Sequence, residues 1–194
     1  MFALLVDRVI HAIHESDLGC HVDKLNFGIL MYADDLILLS ASLFQLQSMV
    51  NICVSELFEL DLTINSKKSS CTRIGKRSNV YCDKIFLDGC PIAWSSNFKY
   101  LGVVFCGGTR LSIDLKPPRD KFFKNFNSIY GKIFKSSETV IISLLKSCCV
   151  PVLLYALEAL DLNPTALRRL DNALFLAFCK TFKTFDEIII MNCM

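Results

Sequence analysis

Glycine and proline are scarce in this 194-residue chain, with 8 and 5 residues respectively. Their scarcity excludes a collagen-like protein and a Gly/Pro low-complexity protein. Charged residues are also few, at 21%, against 53% hydrophobic residues. A disordered chain has the opposite balance, so the composition predicts a folded protein with one sizeable core, or one domain plus a small satellite.

The sequence also lacks signals for secretion, membrane insertion and zinc binding. No small-residue cleavage site follows the apolar start, which Asp7 and Arg8 interrupt. The longest apolar stretch near the end, Cys148 to Leu160, has 13 residues, whereas a bilayer span needs about 20. The ten cysteines include no C-x-x-C pair, so paired zinc-knuckle spacing is absent. We therefore expect an intracellular protein of the nucleus or cytoplasm, not secreted, with no membrane contact.

Charge is distributed unevenly, although the whole chain carries a formal net charge of only +2. Residues 1–61 hold 2 basic and 9 acidic side chains, residues 62–135 hold 14 and 4, and residues 136–194 hold 5 and 6. An acidic segment followed by a basic one suits a site that holds cations beside a surface that binds a polyanion. A folded domain with two unevenly charged faces would give the same pattern.

Apolar periodicity predicts a mixed α and β part over residues 1–106 and a helical bundle over residues 107–194. The expected helices cover 2–15, a segment capped by Ser42, 120–134, 138–160 with a break at Pro151, and 164–182 capped by Asn163. The expected strands flank a polar turn within 27–40, and lie within 63–75, in a hairpin over 85–92 and in a single strand over 98–105. The fold class is therefore predicted to be α+β.

The tetrapeptide Tyr-Ala-Asp-Asp at residues 32–35 is the most informative motif. Adjacent carboxylates in an otherwise apolar hairpin repel one another, which a divalent cation relieves. Carboxylate oxygens are hard ligands that select Mg²⁺, and Mg²⁺ keeps positions for water and phosphate. The pair therefore indicates a phosphoryl-transfer site, while an exposed acidic turn without a ligand is an equally good interpretation of these two residues alone.

This hairpin resembles the catalytic hairpin of reverse transcriptases from the non-LTR (LINE-type) retrotransposon family. Three further segments match that family in the expected order. They are Leu62–Lys68, which resembles an Asn-x-x-Lys motif at Asn65 and Lys68, Phe98–Val103, which resembles the motif that holds the primer end, and Leu145–Glu158, which resembles the helical segment that follows. Any one match is weak, but four in order are specific, and together they extend over nearly the whole chain.

The resemblance implies an RNA-directed DNA polymerase, a nucleotidyltransferase of a transposable element that acts on an RNA template, a DNA primer and deoxynucleoside triphosphates. Its fold would be the C-terminal part of a truncated polymerase palm over 1–106, with the catalytic β-hairpin, and an α-helical, thumb-like bundle over 107–194. Asp34 and Asp35 would be the catalytic and metal-binding residues, with Mg²⁺ or Mn²⁺ as the cofactor. The nucleotide and primer would contact Tyr32, Lys68, Lys99, Tyr100 and Gly102.

The basic segment fits the same interpretation, because cations that face a template–primer duplex bind phosphates without reading sequence. For each lysine, a solvated position on a helix face is the competing interpretation. The residues expected to contact the nucleic-acid backbone are Lys67, Arg73, Lys76, Arg77, Lys121 and Lys124.

The departures from the family concern its upstream part. The first metal-binding aspartate, the fingers and the glycine region that contacts the nucleotide are expected to lie before the segment that Met1–Asp7 resembles. Asp7 does not replace that aspartate, because its context matches a helix. We therefore expect a fragment that is inactive by itself. The alternatives are a degenerate remnant that acts at most as a nucleic-acid-binding or interaction domain, and a structural domain that keeps the helical bundle as a partner surface.

Overall fold

The computed structural model describes the backbone of residues 2–193 and the side chains of residues 6–193. The chain divides into two compact units, residues 1–113 and residues 114–194. Helices account for 47% of the chain and strands for 16%, which confirms the α+β class.

The first unit contains two helices, α1 (Phe2–Glu15) and α2 (Leu43–Phe58), and short strands between and after them. The strands are β1 (His21–Val22), β2 (Leu25–Asn26), β3 (Ile29–Tyr32), β4 (Asp35–Leu38), β5 (Ser70–Cys71), β6 (Phe86–Leu87), β7 (Cys90–Pro91), β8 (Ala93–Trp94), β9 (Asn97–Tyr100), β10 (Val103–Cys106) and β11 (Ser112–Asp114), the last of which ends at the start of the second unit. The pairs β1–β2, β3–β4 and β6–β7 are antiparallel, β5–β8 is parallel, and the three-stranded sheet has the order β11-β10-β9.

The core of the first unit forms where α1 crosses α2. Val6, Val9 and Ile13 recur at helical spacing on α1 and are buried against Met49 and Cys53 of α2. A second cluster lies between α2 and the β6–β7 hairpin, and it consists of Val50, Ile85, Leu87 and Ile92. The helix predicted over residues 2–15 is confirmed by α1. Ser42 occupies the predicted N-cap position of α2, but its side chain makes no cap hydrogen bond.

One strand prediction in this unit was wrong. The segment predicted as one strand over 98–105 is a hairpin, because Leu101 (φ 46°) and Gly102 (φ 84°) form a two-residue turn between β9 and β10. The short strand predicted within residues 63–75 is confirmed by β5, which has only two residues because Asn65 holds the preceding backbone in a turn. The Asp-Gly hairpin predicted over 85–92 is confirmed, with left-handed backbone at Asp88 and Gly89.

The second unit is helical. Its elements are α3 (Lys116–Ile133), α4 (Glu138–Leu144), a π-helical turn (Leu145–Cys149), α5 (Val150–Leu153), a 3₁₀ turn (Leu157–Ala159), α6 (Pro164–Phe182) and α7 (Glu187–Cys193). Phe122 and Phe126 of α3 are buried, as are Leu170, Ala177 and Phe178 of α6. The two helices are also joined by polar contacts. Lys180 Nζ donates to Asn127 Oδ1 at 2.7 Å and lies 5.0 Å from the Tyr130 ring centroid.

The break predicted at Pro151 is confirmed, since the π-helical turn ends just before it. Proline has no N–H to donate, and its ring clashes with the carbonyl four residues earlier, which widens the preceding turn. Asn163 caps α6 as predicted, because its Oδ1 accepts from the Ala166 N–H at 2.8 Å.

Among the described residues, one helical stretch, Glu138–Ala159, is long and apolar enough to cross a membrane by length and composition. It is longer than the 13-residue run expected from the sequence because it continues through α4, the π turn and α5. A buried core helix passes the same test.

Candidate active site

The Tyr-Ala-Asp-Asp motif forms the tip of the β3–β4 hairpin. Tyr32 pairs with Asp35 at the end of the ladder, which leaves Ala33 and Asp34 as the two residues of the turn. Ala33 has φ 53°, a left-handed conformation that a tight hairpin turn requires and that few non-glycine residues adopt. The predicted strand, turn and strand over residues 27–40 are therefore confirmed, and a continuous helix through this segment is excluded.

Strand alternation separates the hairpin into an inner and an outer face. On the inner face, Ile29 is buried and Met31, Leu36 and Leu38 pack against the α1–α2 core. The outer face therefore carries Tyr32 and its cross-strand partner Asp35. Tyr32 is 64% exposed, and both carboxylates are exposed. The apolar inner face thus fixes the hairpin while its acidic tip remains accessible.

The base of the hairpin is attached to the turn that follows α1. Asn26 makes two of the contacts, since its Oδ1 accepts from the Gly28 N–H at 2.6 Å and its Nδ2 donates to the Leu18 carbonyl at 3.1 Å. The Leu39 N–H donates to the Gly28 carbonyl at 2.7 Å, and the Cys20 N–H donates to the Leu39 carbonyl at 3.0 Å. These bonds satisfy backbone groups at the end of both strands, so the acidic turn extends from a fixed base.

Gly19 and Gly28 make this attachment possible. Gly19 has φ +109°, and a Cβ built on it would lie 2.4 Å from the Gly28 Cα. Only glycine allows two backbones to come this close. Asn26 and Gly28 were not predicted to support the motif. The Asn-x-Gly spacing just before an apolar strand is the signal that could have pointed to them.

The donor chemistry of the hairpin fits a hard divalent cation only in part. Asp34 and Asp35 offer carboxylate oxygens of the type that Mg²⁺ binds together with water and substrate phosphates. Among the residues whose structure is described, no group of three His, Cys, Asp or Glu side chains could hold a metal ion. Within that same part of the chain, neither carboxylate is paired with a cation, as the ion pairs found there involve Arg8 and His21. The two carboxylates are thus accessible to a metal ion, but they supply only two of the protein ligands that it would need.

The Asn-x-x-Lys motif lies in a turn. Asn65 Oδ1 accepts from the N–H groups of Lys67 at 3.1 Å and Lys68 at 3.2 Å, which is an Asx-type turn. Both lysine side chains are exposed. Tyr100 belongs to β9 of the three-stranded sheet, whereas the asparagine side chain keeps residues 65–68 out of any strand.

The proposed primer-end motif occupies the β9–β10 hairpin. Lys99 is exposed, Tyr100 is partly buried, and Gly102 lies in the turn. The Phe98 and Phe105 rings stack across the two strands with centroids 5.2 Å apart. This pair fixes the hairpin register and leaves Lys99 on the opposite face.

The six basic residues expected at the nucleic-acid backbone differ in their surroundings. Lys67, Lys76 and Arg77 are exposed in the first unit, and Lys121 and Lys124 are exposed on α3 of the second unit. Arg73 is partly buried, and its Nη1 donates to the Val80 carbonyl at 3.0 Å. Arg73 therefore has a structural bond that the sequence did not predict.

Comparison with known proteins identifies the family. A family model described as Reverse transcriptase (RNA-dependent DNA polymerase) matches residues 1–105. No curated protein and no solved structure matches the chain. The matched segment covers more than half of the 194 residues and includes both the acidic hairpin and the Asn65 turn. Members of this family are RNA-directed DNA polymerases that generally use divalent metals, an RNA template with a primer, and deoxynucleoside triphosphates. On this match, the chain belongs to the reverse transcriptase (RNA-dependent DNA polymerase) family.

Proposed function

We propose that this chain is the palm and thumb part of a non-LTR retrotransposon reverse transcriptase and acts inside the cell. The observation that carries the proposal is the exposed Asp34–Asp35 pair at the tip of a core-packed hairpin, within the segment that matches the family. The four motifs in family order support the non-LTR type. Residues 1–106 would correspond to the later part of the palm, and residues 107–194 to a thumb-like bundle.

In this proposal Asp34 and Asp35 bind Mg²⁺ or Mn²⁺ in a two-metal nucleotidyl transfer. When bound, the metal ions would lower the pKa of the primer hydroxyl and neutralise charge on the phosphates. The hairpin would position the two carboxylates, because the bonds of Asn26 and Gly28 hold its base in place. Positioning is most of what a protein supplies in phosphoryl transfer, since the reaction needs little covalent chemistry from side chains.

Other residues would hold the substrates. Tyr32 shares the outer face of the hairpin with Asp35 and would contact the terminal nucleotide or the incoming one. Lys68 would approach the triphosphate from the Asn65 turn, and the β9–β10 hairpin would support the primer end. The exposed lysines and Arg77 would bind phosphates of the template and primer strands.

A second candidate is a nucleic-acid-binding remnant without catalysis. It is favoured by one observation, namely that the described residues bring no third metal ligand to Asp34 and Asp35. Two carboxylates bind one cation weakly and leave a metal pair without enough ligands. The two candidates therefore differ in whether the hairpin binds a catalytic cation at all.

The test is a titration of the full chain with Mn²⁺. Binding is measured as paramagnetic broadening of assigned amide NMR signals. We expect selective broadening of residues 33–36 at low Mn²⁺, and loss of this broadening in the D34N/D35N variant. Asp88 is the matched control, because it is an exposed aspartate in another two-residue hairpin turn. The D88N variant should keep the broadening at residues 33–36.

Competition with Mg²⁺ completes the test. Excess Mg²⁺ should restore the broadened signals if both cations use the same carboxylates. Equal broadening around Asp34 and Asp88 would mean that Mn²⁺ only samples exposed carboxylates, and the metal-site proposal would then fail in favour of the remnant.

A further inference from the structure

We propose that residues 73–81, here called the basic loop, form a binding surface for single-stranded nucleic acid. In this surface Lys76 and Arg77 bind phosphates and Tyr81 stacks on an unpaired base. The inference rests on the proposed function for the phosphate contacts of Lys76 and Arg77, and it deepens that function by naming an unpaired strand as the ligand and Tyr81 as the residue that stacks on it.

The basic loop is closed and ordered by its own bonds. Arg73 Nη1 donates to the Val80 carbonyl at 3.0 Å, which joins the two ends of the loop. Two tight turns follow each other within it, since the Ser78 N–H donates to the Gly75 carbonyl at 3.0 Å and the Val80 N–H to the Arg77 carbonyl at 3.1 Å. A loop held in this way loses little conformational entropy on binding.

The start of the loop is also attached to a glycine pair that follows β10. The Gly75 N–H donates to the Gly108 carbonyl at 2.8 Å. A Cβ on Gly107 would lie 2.4 Å from Thr72 Cγ2 and 3.0 Å from the Arg73 carbonyl oxygen, so this packing requires glycine. The start of the basic loop is therefore held in place by the Gly107–Gly108 segment.

The outward part of the loop carries positive charge and an accessible ring. Lys76 and Arg77 are exposed, and Tyr81 is 85% exposed. Residues 62–82 contain five lysines and arginines and no aspartate or glutamate, so no acidic neighbour in the segment neutralises these cations. Tyr81 follows Arg77 by four residues in the sequence, and a ring so exposed contributes little to the core, which leaves its faces accessible to a base.

Single-stranded nucleic acid is the ligand that fits this combination. Cations bind the phosphates of any nucleic acid, but stacking on an aromatic side chain requires a base that is not already stacked in a duplex. An anionic membrane surface is the competing ligand, since Ile74 and Val80 of the same loop are 46% and 58% exposed. The tip of the loop, residues 76–79, is Lys-Arg-Ser-Asn, which offers no bulky apolar group for insertion into lipid. The charge and the ring thus favour a nucleic-acid strand over a bilayer.

The experiment measures binding of the full chain to fluorescein-labelled U20 RNA, dT20 DNA and an RNA hairpin duplex by anisotropy at several salt concentrations. We expect K76Q/R77Q to weaken binding to U20 about tenfold at low salt, and to reduce the salt slope by about 1.4, because each single-strand phosphate contact contributes about 0.7. The matched control is R168Q/R169Q, which removes two adjacent exposed cations from α6 and should change affinity less than twofold.

Substitutions of Tyr81 distinguish the contribution of base stacking to binding from the contribution of charge. Y81A should weaken binding to U20 and dT20 about tenfold and leave duplex binding unchanged, while Y81F should keep wild-type affinity, since the ring is retained. Metal binding is measured separately, by Mn²⁺ broadening at residues 33–36, so the failure of either proposal is visible without the other.

Three results would overturn the inference. The first is absence of U20 and dT20 binding by the wild type at 50 mM salt. The second is an equal loss of affinity in the loop variant and in the α6 control. The third is preferential binding of the wild type to phosphatidylserine vesicles, with the same dependence on Lys76 and Arg77, which would assign the loop to a membrane surface.

Discussion

Gly19 and Gly28 meet backbone to backbone at the base of the acidic hairpin, where a Cβ on Gly19 would lie 2.4 Å from the Gly28 Cα. The contact joins the turn after α1 to the start of β3, and Asn26 bonds both sides of it. The acidic turn is therefore positioned by two glycines and an asparagine that lie outside the Tyr-Ala-Asp-Asp motif. Substitutions at this base should therefore destabilise the hairpin, although they remove no residue proposed to take part in catalysis.

Replacing Gly28 with alanine should destabilise the first unit. The new Cβ would lie 2.7 Å from the Leu18 carbonyl oxygen and 3.1 Å from the Gly19 Cα, and backbone atoms cannot move aside as a flexible side chain can. We expect a loss of about 1–3 kcal/mol in the free energy of unfolding, measured by urea titration. Gly131 of α3 is the control, because a Cβ there meets nothing within 4 Å. G131A should leave stability unchanged or raise it by up to about 1 kcal/mol, and equal losses in both variants would contradict the packing argument.

Replacing Asp34 with asparagine should leave stability unchanged or slightly higher. Asp34 and Asp35 are adjacent and exposed, so the substitution removes a like-charge neighbour without removing a packed side chain. The expected gain is under about 1 kcal/mol, because water screens exposed charges. Thermal unfolding in metal-free buffer measures it. A loss of folding in D34N would identify the aspartate as structural and oppose its assignment to a metal site.

The sequence allowed some of these elements to be predicted and not others, for local physical reasons. The Asp88-Gly89 turn and the hairpin around Ala33-Asp34 were predictable, because a polar break between apolar runs determines each of them. The β9–β10 turn was missed because Leu101 adopts a left-handed conformation that its side chain rarely favours. The Gly19–Gly28 contact joins backbone segments nine residues apart, and the basic loop depends on the distant Gly107 and Gly108. Such contacts follow from the folded chain and not from local pattern.

The full 194-residue chain should show no primer extension on poly(rA)/oligo(dT) with Mg²⁺ or Mn²⁺. The described residues place two carboxylates at the hairpin and no third ligand beside them, and phosphoryl transfer depends on fully positioned metals. Incorporation of labelled dTTP is the measurement, with a known reverse transcriptase as positive control. Extension above background that disappears in D34N would show that two carboxylates of this chain are sufficient.

Alkaline pH should weaken the core of the first unit through Cys53. Burial raises the pKa of this thiol to about 12, whereas a thiol in an unfolded chain titrates near 8.5. The native state therefore retains the proton longer, and stability that is fully present below about pH 8.5 is lost as pH rises toward 12. Each pH unit in that window costs about 1.4 kcal/mol for one such group. Burial also raises the pKa of Cys71, to about 11, so the comparison needs a variant that removes only Cys53.

Urea titrations of the wild type and of C53A at pH 7.5 and pH 10 make that comparison. The C53A variant leaves a small cavity and starts from lower stability, so the informative quantity is the change between the two pH values. We expect a smaller decrease in C53A than in the wild type. Equal decreases would mean that Cys53 is ionised in the folded chain at pH 10, and that it is not buried as the α1–α2 core requires.

Replacing Arg73 with glutamine should open the basic loop. The wild-type guanidinium joins Arg73 to the Val80 carbonyl, and a charged hydrogen bond contributes about 1.5–3 kcal/mol, which corresponds to a tenfold or greater increase in local opening. Trypsin should therefore cut after Lys76 and Arg77 at least several times faster in R73Q, as measured by mass spectrometry over a time course. The exposed Arg110 is the control, and R110Q should leave the cleavage rate at Lys76 and Arg77 unchanged. Equal rates in R73Q and the wild type would show that the Arg73–Val80 bond does not keep the loop closed.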